Sequence, residues 1–157
     1  MNRFCLSVPA RINVLGNPSD GLEGDFQTIS MAIELRAGAC VEPASVLQFD
    51  EYQRSPDGKL TRVRHVEDPG LTLARDGRAE LQKAALRRLL AYSPEFSAKL
   101  ARQKVRLATW TDVPRQSGLG GSSLLVMLSL AAMRQAFELD PRTHNDYVLA
   151  ELTQRTE

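Results

Sequence analysis

Gln116–Met133 reads QSGLGGSSLLVMLSLAAM. A glycine-rich polar turn passes without a break into a stretch too apolar to face water. Leu124, Leu125, Leu128, Ala131 and Ala132 fall at helical spacing, so the pattern predicts a helix from Gly121 to Phe137. Ser129 is the only polar residue between Leu124 and Met133. Such a helix must be buried on nearly all sides and held against a sheet. The first turn of a helix leaves N–H groups without partners at the positive end of the dipole, a setting suited to an anion. Gly118, Gly120 and Gly121 let the backbone approach a phosphate closely and take positive φ, while Ser122 and Ser123 add hydroxyls. Two readings stand side by side: a phosphate cradle, or a turn closed by an ordinary serine cap.

Working outward, Lys104–Thr111 (KVRLATWT) alternates and is predicted as the strand feeding the turn. Residues 3–15 and 28–49 also read as strands. Ser55-Pro56-Asp57-Gly58 is a turn that makes Val46–Tyr52 and Leu60–Val66 a hairpin. Asp76–Leu90 changes to helical period, with Leu81, Ala84, Ala85, Leu86, Leu89 and Leu90 on one side. Arg78, Lys83, Arg87 and Arg88 take the other side, and Asp76 is the predicted N-cap. Ser93-Pro94-Glu95 supplies a cap, a proline at the first helical position and an acidic first turn, hence a second short helix. Asp140-Pro141 is predicted to open a last helix through Val148, Leu149 and Leu152. Strands gathered early and helices late indicate an α+β layer in one domain, residues 1–157.

A net charge of +1 gives no general pull toward nucleic acid or acidic membranes, so neither is an expected partner. The longest apolar run, Leu124–Met133, is about half a membrane span. Cys5 and Cys40 have no metal or redox spacing, which predicts two free thiols and a cytoplasmic setting. His65 and His144 read as solvated, Trp110 as core, and Arg87-Arg88 as the wet face of a helix. The turn is not a dinucleotide fingerprint, because Ser123 stands at the third glycine position. Nor is it a Walker A loop, since no Gly-Lys-Ser/Thr follows. Gly120-Gly-Ser-Ser-Leu lacks the last glycine of a serine-hydrolase elbow.

Two segments resemble the GHMP kinases, the superfamily of galactokinase, homoserine kinase, mevalonate kinase and phosphomevalonate kinase. Pro114-Arg-Gln-Ser-Gly118-Leu119-Gly120-Gly121-Ser122-Ser123 is similar to the family's second motif, with Gly121 where many members carry the first serine. Ala10-Arg11-Ile12-Asn13-Val14-Leu15-Gly16-Asn17-Pro18-Ser19-Asp20 is similar to the first motif as it stands in glucuronokinase-like members. The resemblance implies an N-terminal domain like that of a ribosomal protein, with the ferredoxin-like C-terminal domain absent from this chain. It implies ATP and Mg²⁺ as cofactors. Pro114 and Gly118, Leu119, Gly120 and Gly121 would cradle the triphosphate, and Ser122 or Ser123 would ligate the metal. Arg11 would lie near the transferring phosphate, while Asn17, Asp20, Arg115 and Gln116 would meet the acceptor, a sugar or sugar acid.

The activity so implied is transfer of the γ-phosphate of ATP to a hydroxyl of a monosaccharide or sugar acid, the anomeric hydroxyl of a uronic acid being the narrower expectation. The family's catalytic aspartate, in a Gly-x-Gln-Asp or Gly-x-x-Asp context beyond the helix, is not found in residues 1–157, so this fragment alone is expected to be inactive. An inactive sensor that keeps the sugar and nucleotide pockets is the alternative.

Overall fold

The computed structural model describes residues 2–16, 27–55 and 57–156. Five strands form one mixed sheet: β1 (Phe4–Leu15), β2 (Ile29–Ala44), β3 (Leu47–Arg54), β4 (Leu60–Asp68) and β5 (Lys104–Thr111). Their order is β1-β2-β5-β3-β4, with β3 parallel to β5 and every other pair antiparallel. Four helices, α1 (Glu80–Tyr92), α2 (Pro94–Arg102), α3 (Gly121–Ala136) and α4 (Asp146–Gln154), complete the α+β layer. This is the predicted class. The stretch read as one strand over 28–49 is two, broken by a bend at 45–46.

Alternation on each strand explains which side meets the helices. Val105, Leu107 and Thr109 of β5, Ala37, Ala39 and Val41 of β2, and Leu47 and Phe49 of β3 are buried. Against them lie Leu86 and Leu89 of α1, Phe96 and Leu100 of α2, and Val126, Leu128, Leu130 and Met133 of α3. Helix α3 touches β1, β2, β5, α1 and α4, so it is the central rod of the core. Its mid-chain Ser129 answers burial by donating to the Leu125 carbonyl at 2.7 Å.

Several local expectations give way to tertiary contacts. Asp76 does not cap α1: the N-cap is Ala79 in a left-handed conformation, and Glu80 reaches back to accept from the N–H groups of Asp76 and Gly77. Asp76 instead binds Lys83, whose side chain is buried rather than on a wet face. Arg87 and Arg88 are likewise drawn in, donating to the carbonyls of Leu73 and Arg155. Asp140 opens a turn, and α4 begins later with Asn145 as its cap, accepting from Val148 N–H at 3.0 Å. His144 is buried, with Nε2 on the Ser93 hydroxyl at 2.8 Å; that hydroxyl also caps α2 by accepting from Phe96 N–H. His65 sits on β4 with Nδ1 2.6 Å from the buried Asp50 carboxylate.

The two free thiols are a further correction. Antiparallel pairing sets Cys5 directly opposite Cys40, and a disulfide joins them. Cross-strand neighbours share a face at close range, a proximity that a separation of 35 residues conceals. No helix among the described residues is long and apolar enough to cross a membrane.

Lys83, and after it Arg78, hold the Asp76 carboxyl well below its ordinary value of 3.8. A lowered folded-state value stabilises the fold above 3.8, and that contribution fades as pH drops toward the folded value. Asp76→Asn is therefore expected to lower the urea midpoint at neutral pH. The gap from wild type should narrow as the medium is acidified below 3.8; a gap that is constant with pH contradicts this account.

Candidate functional site

Strand β5 delivers the chain to the glycine turn in a fixed direction. Asp112 N–H donates to the Arg36 carbonyl at 2.8 Å, extending the sheet by one residue. Val113 N–H then turns onto the Thr111 hydroxyl at 3.1 Å, and the Ser117 hydroxyl donates to the Pro114 carbonyl at 2.8 Å. Gly118 and Gly120 have φ of 73° and 71°, a region that costs other residues about 1–2 kcal/mol. Gly120 is the N-cap of α3, its carbonyl accepting from Leu124 N–H at 3.0 Å. The cap is thus backbone, and the reading of Ser122 or Ser123 as the N-cap is not met. Gln116 shares the left-handed region at φ 59°, so the turn holds strain on a residue with a side chain.

Among the described residues, the N–H groups of Gly118, Leu119, Gly120 and Gly121 find no acceptor. They border a cleft of about 1350 Å³. Pro114, Arg115, Gln116, Gly118, Leu119, Gly120, Gly121 and Ser122 line it, so the structure brings together nearly the whole second motif. Ser123 lies in the same first turn of α3, half-buried. Arg11 is exposed on β1 opposite Ala32, outside the cleft lining. Register places it at the right end of the sheet: Val8 pairs with Ala37 and Ala37 with Thr111, so Arg11 lies beyond the level where β5 ends. Asn17 and Asp20 lie outside the described residues.

The opposite wall escaped the sequence reading. The β3–β4 hairpin contributes Tyr52 and Arg54, and the start of α1 contributes Leu81 and Gln82. Trp110 joins them at the end of β5, lining the cleft rather than filling the core. A Cβ on Gly38 would come within 2.5 Å of the Trp110 ring, so glycine is required there. The Arg54 guanidinium lies 4.8 Å from the ring centroid, held by Asp112 Oδ1 and the Gly58 carbonyl at 2.8 Å each. The one local signal was a lone tryptophan, the last residue but one of a strand that feeds a glycine turn.

Ligand chemistry can be tested against this donor set. N–H groups without acceptors among the described residues, the positive end of a helix and glycines that keep Cβ atoms out of the way fit a phosphate chain. For a divalent cation, the described residues offer no group of three or more His, Cys, Asp or Glu side chains. Hydroxyls at the helix start fit a metal that takes its remaining ligands from phosphate and water.

A five-stranded mixed sheet with four helices, joined at the end of β5 by a glycine turn to the start of α3, defines an α+β module. The family described as "GHMP kinases N terminal domain" matches residues 80–157. Glucuronokinase 1 of Arabidopsis thaliana is 31% identical over 122 residues, 77% of this chain and 33% of its own. Probable glucuronokinase 2 of the same plant is 31% identical over 143 residues, 85% of this chain and 38% of its own. A D-glycero-D-manno-heptose 1-phosphate kinase from Bacteriodes thetaiotaomicron superposes with a TM-score of 0.70 at 23% identity, covering 99% of this chain and 47% of that one. The chain belongs to the GHMP kinase family and has the fold of its N-terminal domain. It spans little more than a third of the curated relatives it matches.

Geometry also explains the departure at Gly121. A Cβ there would sit 3.2 Å from Val113 Cγ1, so a serine would have to push the valine aside.

Two substitutions test the site. Gly120→Ala forces a side chain into the left-handed cap; about 1–2 kcal/mol of strain should weaken tripolyphosphate binding about tenfold by calorimetry. Gly38→Ala should displace Trp110 and alter its emission spectrum; an unchanged spectrum contradicts this packing.

Proposed function

We propose that this protein is the nucleotide-binding part of an ATP-dependent sugar kinase, one that transfers the γ-phosphate of ATP to a hydroxyl of a monosaccharide or sugar acid. The observation that carries the proposal is the set of backbone N–H groups from Gly118 to Gly121, without acceptors among the described residues, at the start of a helix whose later turns are buried. Phosphoryl transfer asks a protein for positioning and charge neutralisation rather than covalent chemistry. The glycine turn would hold the triphosphate by its N–H groups. Ser122 or Ser123 would offer a hydroxyl to Mg²⁺, and the metal would neutralise charge between the phosphates. Arg11 would face the transferring phosphate from β1, and Arg115 and Gln116 would orient the acceptor at the cleft mouth, with Asn17 and Asp20 completing its contacts. The similarity to Arabidopsis glucuronokinases supports a uronic acid as acceptor, phosphorylated at its anomeric hydroxyl.

A phosphoryl-transfer assay with ATP and Mg²⁺ against uronic acids and neutral sugars, paired with calorimetry of ATP binding to this chain, tests the reading. Expected are ATP binding by the chain and phosphate transfer from the full-length protein to a uronic acid in preference to its neutral counterpart. Binding without transfer to any acceptor would leave an inactive sensor as the better description, and failure to bind ATP sinks both.

A further inference from the structure

We propose that the Cys5–Cys40 pair is a reversible thiol–disulfide exchange site, opened by a dithiol reductant attacking Cys5, and that its state sets how firmly edge strand β1 and Arg11 are held. The chain has two cysteines and both are in this bond. Exchange requires a thiolate to approach a disulfide sulfur along the line of the bond. Strand β1 is the edge of the sheet, paired with β2 alone, and Cys5 is exposed whereas Cys40 is half-buried. A reductant therefore reaches Cys5 at the open edge of the sheet, whereas Cys40 lies on an inner strand, paired with Cys5 on one side and Ala108 on the other.

The strand needs such a tie. Pro9 has no N–H to give the ladder, and pairing with β2 shifts register between Pro9 and Arg11 and again between Asn13 and Leu15. Ala10 is the one fully buried hydrophobic residue of β1; Phe4, Leu6 and Val8 only pack against the margin of the core. The disulfide therefore supplies a covalent anchor where apolar anchoring is thin. It also borders the cleft indirectly. Cys40 lines a cavity of about 160 Å³ together with Tyr52 and Trp110, and both aromatics line the main cleft as well.

The chemistry closes with a dithiol as the named reductant. Its thiolate bonds to the Cys5 sulfur, the Cys5–Cys40 bond breaks, and Cys40 leaves as a thiolate that takes a proton from water. The second thiol of the reductant then attacks the mixed disulfide, releasing Cys5 as a thiol and leaving the reductant oxidised by two electrons. Oxidation by a small-molecule disulfide reverses both steps.

The test uses the intact chain purified without reductant. Alkylation under denaturing conditions should label no cysteine before treatment and two after dithiothreitol. Reduction should speed tryptic cleavage after Arg11 about tenfold and change the emission of Trp110, the single tryptophan. Glutathione disulfide should restore the original rate and spectrum. Cys5→Ser and Cys40→Ser should behave as the reduced protein and ignore dithiothreitol; should either fail to fold, the reduction cycle on the wild-type chain decides alone. Two free thiols that persist under excess glutathione disulfide overturn the proposal, as do cleavage and emission identical in the two states. Neither readout involves nucleotide or sugar, so the outcome is independent of the kinase assignment.

Discussion

Helix α3 lies against the part of β2 that carries Ala37, Ala39 and Val41, and the shortness of those side chains lets the helix come close to the sheet. Most other features follow from this approach. A helix gripped by β1, β2 and β5 on one side and by α1 and α4 on the others has no freedom to tilt, so its first turn is presented at a fixed place beyond the end of β5. The glycine turn must then join a strand and a helix whose relative position is already set. That is why Gly118 and Gly120 take left-handed angles, and why even Gln116 is pressed into that region. The placing of the amides of the turn is a consequence of packing behind them, not of flexibility in the turn.

Buried polar groups show how closely the surrounding layer is specified. Thr109 alternates into the core of β5, where its hydroxyl accepts from Gln82 Nε2 at 2.6 Å across the interface with α1. Leaving both unpaired would cost about 1–3 kcal/mol for each buried group, so this bond fixes the rotation of α1 against the sheet. Ser93 serves two elements at once, capping α2 and bonding His144, and so ties the α1–α2 corner to the segment that enters α4. Lys99 Nζ spans the same corner, reaching Glu95 and the carbonyls of Phe137 and Glu138 at the end of α3. Lys99, with the Asp140 N–H after it, holds the Glu95 carboxyl below its ordinary range. The helices are thus locked to one another by polar contacts where their apolar stripes end.

Elements with strong local signals were legible in the sequence. Strand β5 has the predicted bounds, Ser93 and Pro94 start α2 as their chemistry demands, and the apolar run after Gly121 is the buried helix. What failed was every assignment that depended on a distant partner. Asp76 looks like a cap because aspartate before a helix often is one, yet Lys83, one turn inside α1, draws its carboxylate away from the helix end. His144 stands in a polar stretch and is nonetheless buried, because Ser93 is brought to it from 51 residues away. The cysteines are opposite each other only once β1 and β2 pair. The candidate site divides in the same way: one wall is contiguous in sequence and carries a motif, whereas the wall of Tyr52, Arg54 and Gln82 is assembled from two separate elements and has no linear pattern.

The two faces of the sheet explain where that assembled wall comes from. One face is covered by helices and apolar. The other carries Asp50, wholly buried, with His65 Nδ1 at 2.6 Å and two guanidinium groups beside it, Arg106 Nε at 3.4 Å and Arg62 Nη1 at 3.5 Å. A buried carboxylate is tolerable only when cations surround it, so β3, β4 and β5 are tied across this face by charge where no helix covers them. The network stops one residue pair short of the strand ends. There Tyr52 pairs with Trp110 across β3 and β5, and Arg54, freed from the Asp50 cluster by distance, turns onto the Trp110 ring and Asp112. Trp110 lies over Gly38 on the uncovered face, while the next residues of its strand lead into the glycine turn on the helical side. The cleft therefore forms where the sheet ends and its two faces meet: one wall is backbone from a rigid helix start, the other aromatic and cationic side chains from the uncovered face. A flat ring, a fixed guanidinium and a row of amides converge there because strand order puts β5 between β2 and β3, with both their registers running to its last residues.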